Sequence, residues 1–207
     1  MRIVCFSDTH KKHRDVVLPD GDVLVFAGDM CGRGGIQSVR RFNEWLGEQP
    51  HHHKIVVAGN HDRPFENFPY REMINEISNA VYLEDCRYDI DGLVFYSSPW
   101  QPEFCNWAFN LPRGEPLRSR WRHISDHTDV LITHGPPANV MDECDDGQRV
   151  GCMDLSERID ELDLKLHVFG HIHHSYGVEK IGATTYVNAC VCDEDYVVSN
   201  PPIVIDL

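Results

Sequence analysis

Five short apolar runs in this chain each stop at an acid, an amide or an imidazole. Ile3-Val4-Cys5-Phe6-Ser7 ends in Asp8-Thr9-His10, and Asp22 to Ala27 ends in Gly28-Asp29. Ile55-Val56-Val57-Ala58 ends in Gly59-Asn60-His61-Asp62. Asp129 to Thr133 ends in His134-Gly135-Pro136-Pro137, and Leu166 to Phe169 in Gly170-His171-Ile172-His173. Short apolar runs rich in β-branched residues read as strands buried on both faces. In layered α/β sheets, functional groups gather just beyond the carboxyl ends of the strands. Five such ends, all carrying Asp, Asn or His, argue for one shared site.

The stretches between these strands supply helices. Apolar positions 36, 39, 42 and 46 keep helical spacing, so an amphipathic helix is predicted from Ile36 to Leu46 with Arg40, Arg41 and Glu44 outward. A second helix is predicted over 66–78, with Met73, Ile74 and Ile77 inward. Strands are predicted at 81–83 and 93–96, an aromatic loop at 100–109, and a helix over 116–124. Asp154 and Glu157 have capping-box spacing ahead of a stripe formed by Leu155, Ile159 and Leu162. Segments 184–188 and 203–206 read as final strands. The order of elements argues for an α/β layered architecture. No repeat or linker interrupts it, so residues 1–207 are expected to form a single domain.

Charge and cysteine usage exclude several function classes. The formal net charge of -14 argues against binding polymeric nucleic acid, which needs clustered Lys and Arg. No apolar stretch approaches the roughly 20 residues of a membrane helix. The eight cysteines are irregularly spaced, with no Cys-x-x-Cys pair, and Cys190-x-Cys192 is too close-set for a usual zinc site. Reduced thiols and a cytoplasmic location are expected. The run His51-His52-His53 reads as a solvated turn, with an adventitious metal patch as the alternative.

The polar strand ends carry the chemistry. Asp8, His10, Asp29, Asn60, His134, His171 and His173 offer oxygen and imidazole donors without thiolate, a set suited to Mn, Fe, Ni, Co or Zn. In extended backbone, residues i and i+2 point to one side, so Asp8-x-His10 and His171-x-His173 should each aim two donors at one metal region. Seven ligands are too many for one tetrahedral ion. They suit two divalent ions sharing a carboxylate, ~3.5–4 Å apart, with Mn favoured. Two such ions, two aspartates and a bridging hydroxide leave the site net positive, able to attract a phosphate anion inside an acidic protein.

Together, Asp8-x-His10, Gly28-Asp29, Gly59-Asn60-His61-Asp62, His134-Gly135 and Gly170-His171-x-His173 resemble the calcineurin-like metallophosphoesterase superfamily. More narrowly, Phe42 to Gly47, Ser98 to Pro102, Phe109 to Gly114 and Asn200 to Asp206 are similar to the brain-type metallophosphoesterase-domain proteins, which resemble class III cyclic-nucleotide phosphodiesterases. The resemblance implies a four-layer α-β-β-α sandwich with two mixed sheets. It implies one metal on Asp8, His10 and His173, a second on Asn60, His134 and His171, and Asp29 bridging them. His61 would contact phosphate and protonate the leaving oxygen. Asp62 would either orient His61 or be a loop acid held by backbone amides. The Ser/Thr phosphatase branch has an acid three residues after the bridging aspartate; here Gly32 stands there, although Arg33 keeps that branch's arginine.

Arg113, Arg149 and Trp100 are candidate substrate contacts. The aromatic residues around Trp100 either stack a base or cap the core. The function expected is hydrolysis of small phosphodiesters, including 2′,3′- or 3′,5′-cyclic nucleotides, by attack of a metal-bridged hydroxide. A phosphomonoesterase and a metal-retaining binding or scaffold protein are the alternatives. The partner expected is the small substrate, with no nucleic-acid polymer and no membrane; homo-oligomerisation is left open.

Overall fold

The computed structural model describes all 207 residues. Four strands of the first sheet run parallel: β1 (Arg2–Phe6), β2 (Val23–Ala27), β3 (His53–Val57) and β4 (Val81–Tyr82). The last strand, β13 (Ile203–Asp206), closes one edge antiparallel to β1, so the order is β13-β1-β2-β3-β4. The second sheet has a parallel centre made of β6 (Leu93–Ser98), β9 (Val130–Thr133), β10 (Leu166–Phe169) and β12 (Thr184–Asn188). Antiparallel strands β5 (Cys86–Ile90) and β11 (Gly177–Ile181) flank it, giving β11-β12-β10-β9-β6-β5.

Side-chain alternation along these strands builds the layers. Ile3, Cys5, Val23, Val25, Ile55 and Val57 of the first sheet meet Phe95, Val130, Ile132, Leu166 and Val168 of the second in one buried core. The alternate positions Val4, Phe6, Leu24, Phe26 and Val56 turn outward. They pack on Val39, Phe42, Trp45 and Leu46 of α1 (Ile36–Gly47). On the far side, Tyr96, Leu131, Phe169 and Tyr186 pack on Leu117 and Trp121 of α4 (Glu115–Trp121) and on Leu155 and Ile159 of α5 (Met153–Ile159). Both sheets are thus covered on both faces, which is why their strands read as unbroken apolar runs rather than as an alternating pattern. The result is a four-layer α-β-β-α sandwich with two mixed sheets. Each buried Val, Leu, Ile or Phe contributes roughly 1.5–3 kcal/mol, so the two outer interfaces and the central one hold the strand ends in register.

Several elements differ from the sequence reading. The helix predicted over 66–78 is two short helices, α2 (Arg63–Asn67) and α3 (Tyr70–Glu76). Phe68 is extended ahead of Pro69, whose ring disfavours helical backbone in the preceding residue. Met73 and Ile77 are buried, but Ile74 is 41% exposed. Asp154 does not cap its own helix. Its carboxylate accepts from the Gly114 amide at 2.8 Å and from Arg118 at 2.8 Å, tying α5 to the start of α4. The His51-His52-His53 run is only partly solvated. His51 is buried against the Pro19 carbonyl at 2.9 Å, and His53 opens β3. The aromatic loop is closed by a small parallel pair, β7 (Gln101–Pro102) with β8 (Asn110–Leu111). No helix is long and apolar enough to cross a membrane.

Candidate metal centre

The carboxyl ends of β1, β2 and β3 face those of β9 and β10, and every polar strand end noted in the sequence arrives there. His173 Nε2 lies 3.5 Å from Asp8 Oδ1, and His134 Nε2 lies 3.5 Å from Asp29 Oδ2. His10 Nε2 is 3.9 Å from both Asp8 Oδ1 and Asp29 Oδ2. Asn60 Oδ1 is 2.8 Å from His134 Nε2, and the His171 ring sits 5.0 Å from that of His134. Asp29 is the shared member. Its Oδ1 accepts the His61 amide at 2.8 Å, which leaves Oδ2 facing His10, His61 and His134.

The route by which these pairs converge is not the expected one. Asp8 (φ 55), His10 (φ 42), Asp29 (φ 65) and His171 (φ 71) all have left-handed backbone, which is uncommon outside glycine and clusters at functional sites. Tight turns, rather than the alternation of an extended strand, swing Asp8 with His10 and His171 with His173 into the same space. Two glycines make room. A Cβ on Gly59 would lie 2.3 Å from Asp29 Oδ1, and one on Gly170 would lie 2.1 Å from Asp8 Oδ2.

The donor set fits divalent metal. The Nδ1 atoms of His10, His134 and His173 sit 3.2, 2.9 and 2.8 Å from the carbonyls of Cys31, Ala27 and Asp193. Each Nδ1–H donates there and so aims its Nε2 inward, the arrangement second-sphere partners impose on metal-bound histidine. Asp8 Oδ2 accepts from Ser7 Oγ, from the His171 amide at 3.0 Å and from Cys190 Sγ at 3.1 Å. Its Oδ1 is buried without any partner. A buried carboxylate oxygen left without a partner among converging ring nitrogens is costly unless a cation lies between them. Burial pushes His10 down to about 4 and His171 down to about 3. Burial also opposes charge on His134 and His173, yet Asp29 for the first and Asp8 for the second raise them to about 9. Positive charge is favoured between these carboxylates.

The other sequence candidates divide. His61 lies beside the centre, with Nε2 4.0 Å from Asp29 Oδ2 and Nδ1 hydrogen-bonded to the Gly32 carbonyl. Asp62 does not orient it. The buried Asp62 carboxylate accepts from the amides of Asp29 (2.8 Å), Cys31 (2.8 Å) and Gly59 (2.9 Å), which makes it the acid that holds the two ligand loops together. Trp100 donates to Asp85 at 2.9 Å, lies under Arg120 and packs edge-on against Phe109, so it belongs to the scaffold. Arg149 pairs with Asp142 and Glu143 at 2.8 and 2.9 Å and does not line the pocket. Arg113 lines it, but both its terminal nitrogens donate to the carbonyls of Gly151 and Val150 at 2.8 Å.

A pocket of about 480 Å³ opens over the centre. Phe104 and Trp107 of the aromatic loop line it, together with Tyr196, whose ring meets His10 edge-on at 4.7 Å. Tyr196, Gln101 and Cys190 escaped the sequence reading. Tyr196 sits in a tail without periodicity, Gln101 in an aromatic stretch that drew attention to its rings, and Cys190 among thiols read together as inert.

A model of the calcineurin-like phosphoesterase family matches residues 1–175. Metallophosphoesterase domain-containing protein 1 of Homo sapiens is 44% identical over 100% of this chain and 71% of its own length. UPF0046 protein T07D4.2 of Caenorhabditis elegans is 36% identical over 100% of this chain and 60% of its own. Among solved structures, TT1561 of Thermus thermophilus aligns with a TM-score of 0.61 at 12% identity, over 90% of this chain and 88% of that one, a likeness of fold. The family hydrolyses phosphoesters with divalent metals, and the matched span contains His61 and all seven converging side chains that could hold metal. This chain belongs to the calcineurin-like phosphoesterase family.

Proposed function

We propose that the chain is a dinuclear phosphodiesterase acting on small phosphodiesters, with cyclic nucleotides among the candidate substrates. The observation that carries this reading is the position of Asp29 Oδ2, 3.9 Å from His10 Nε2 and 3.5 Å from His134 Nε2, between two inward-facing donor groups. On one side stand Asp8, His10 and His173; on the other, Asn60, His134 and His171. Bound divalent ions, manganese favoured, would polarise the phosphoryl oxygens and lower the pKa of water. The chain's own residues do the rest. Asn60 contributes a neutral donor, which keeps the centre electropositive toward an anion. Asp8 and Asp29 are fixed by backbone and side-chain donors on one oxygen and offer the other. His61 presents Nε2 to the pocket and delivers a proton to the departing alkoxide, while its Nδ1 is held by Gly32.

The diester preference has its own support. The only guanidinium lining the pocket, Arg113, is engaged by two carbonyls. A phosphomonoester dianion finds no free guanidinium or ammonium for its second charge, and a diester monoanion needs none. Paired kinetics on bis(p-nitrophenyl) phosphate and p-nitrophenyl phosphate, with and without added Mn, test the reading. Metal-dependent turnover favouring the diester is expected. Preference for the monoester would mark a phosphomonoesterase. Equal inertness of apo and metal-loaded protein toward both esters would leave a metal-binding scaffold.

A further inference from the structure

Beyond its metal floor, the pocket has an uneven charge. Glu103, Asp145 and Glu194 line it, against the single guanidinium of Arg113. His174 Nδ1 lies 3.7 Å from Glu194 Oε1. Three nearby cations do not line the pocket: Lys12 donates to the Tyr196 carbonyl, Arg63 to that of Asn106, and Arg33 bears on the Tyr196 hydroxyl.

A second observation comes from another residue of the lining. Gln101 lines the pocket and is 1% exposed, yet its Oε1 has no hydrogen-bond partner. The orientation of this amide follows from its neighbours. Asn110 Nδ2 donates to the Phe104 carbonyl at 2.7 Å, so Asn110 Oδ1 is an acceptor, and Gln101 Nε2 donates to it at 3.2 Å. Oε1 is thereby turned toward Gly135, another wall residue, where a Cβ would lie 3.8 Å from it. A buried acceptor without a donor costs free energy that a ligand hydroxyl or ammonium recovers.

Resting on the phosphodiesterase reading above, we infer that the pocket selects phosphodiesters whose alcohol portion carries hydrogen-bond donors and no second negative charge. The phosphodiester contributes one negative charge, which the metal centre takes. A further phosphate or carboxylate on the alcohol would face Glu103, Asp145 and Glu194. A hydroxyl or ammonium would meet the Gln101 acceptor and those same carboxylates favourably. Uncharged nucleosides, polyols and amino alcohols satisfy both conditions; bisphosphates and polyphosphates do not.

The test uses p-nitrophenyl diesters that share one leaving group, on the metal-loaded full chain. The second ester is ethanolamine (cationic, with N–H donors), thymidine through its 5′ oxygen (neutral and hydroxyl-bearing), or thymidine carrying a 3′-phosphate (anionic). In kcat/KM the first two should exceed the third by about tenfold at about 50 mM salt, and the gap should close near about 500 mM, where the Debye length falls below ~5 Å. An Asp145→Asn, Glu194→Gln double variant should narrow the gap at low salt. Gln101→Leu should lower the thymidine ester relative to methyl p-nitrophenyl phosphate, which lacks a donor, and an unchanged ratio overturns the role given to Gln101. Equal rates on all three esters at low salt, or a gap indifferent to both salt and the double variant, overturn the inference. Turnover of bis(p-nitrophenyl) phosphate reports the parent reading separately. Should it be absent, the same preference is read from dissociation constants of the three esters by calorimetry, and equal constants overturn it.

Discussion

Trp107 lies nearly flat on His61, with ring centroids 4.2 Å apart and planes 22° from parallel. The Gly32 carbonyl holds Nδ1 of the same imidazole, so one contact sets the plane of the ring and the other its tautomer. Trp107 is itself covered by Arg63, whose guanidinium stands 5.4 Å from the ring centroid and donates to the Asn106 carbonyl at 2.7 Å. The Ala108 amide donates to the Asn60 carbonyl at 3.1 Å, pinning the aromatic loop to the ligand loop.

On the role proposed for His61, Trp107 is a positioning residue for proton delivery. Trp107→Ala should lower kcat by about tenfold through misplacement of the ring, and His61→Ala by roughly 10²–10⁴-fold. Both losses should be larger for diesters with alkoxide leaving groups than for p-nitrophenyl esters, whose leaving group needs no proton. Trp107→Phe should recover part of the activity. A loss of the same size on both substrate classes would count against this role.

Gly59 is a space requirement. A methyl group there would approach Asp29 Oδ1 at 2.3 Å and His134 Cε1 at 2.6 Å, two groups on opposite sheets that cannot both retreat. Gly59→Ala should weaken metal binding by at least about tenfold, in the range seen when groups that orient ligands are disturbed. Titration calorimetry with Mn measures it directly, and circular dichroism separates it from loss of fold. Wild-type metal affinity in a folded Gly59→Ala protein would refute the packing argument.

Cys190 acts on the centre through Asp8. Its thiol is one of three donors on Oδ2, and with Ser7 and the His171 amide it keeps Oδ1 free to face His10 and His173. Cys190→Ala should cost about tenfold in metal affinity, and Cys190→Ser, which restores a donor, should cost less. Cobalt substitution provides an independent check, because a thiol that only donates to Asp8 gives no sulfur-to-metal charge-transfer band. A strong band lost in Cys190→Ser would make it a ligand instead.

Much of this centre was legible because its logic is local. Each buried strand announces itself by apolar content, and each ends in a residue type with metal chemistry. The same local reading failed wherever a side chain's job depends on a distant neighbour. Asp62 looked like a partner for the adjacent His61, but the amides it binds belong to Asp29 and Cys31 as well as Gly59. Trp100 and Trp107 are indistinguishable in sequence; Asp85 and Arg120 draw the first into the scaffold, while His61 draws the second into the pocket. Gly32 marked the loss of an acid, and its own carbonyl holds His61 Nδ1. Backbone atoms have no sequence signature, so that contact could be seen only in three dimensions.

His167, on β10 between the sheet and its outer helices, gives a stability signature separable from the metal centre. Its Nε2 lies 2.8 Å from Thr133 Oγ1, and Thr133 Oγ1 donates to the Gly135 carbonyl at 2.7 Å, so His167 must donate to Thr133 as a neutral ring. Burial pushes its pKa down to about 3. In the unfolded chain the imidazole titrates near ~6.5. Below ~6.5 the unfolded state takes up a proton that the folded state refuses, so this residue destabilises the fold as pH falls, and the effect stops growing only near the folded value. At about pH 4 the loss is on the order of 3 kcal/mol. His167→Gln keeps a donor for Thr133 and cannot titrate. Chemical denaturation of metal-free protein between about pH 4 and 7.5 should therefore show the wild-type midpoint falling more steeply toward acid than that of the variant. Parallel curves would mean that His167 is protonated in the folded protein after all.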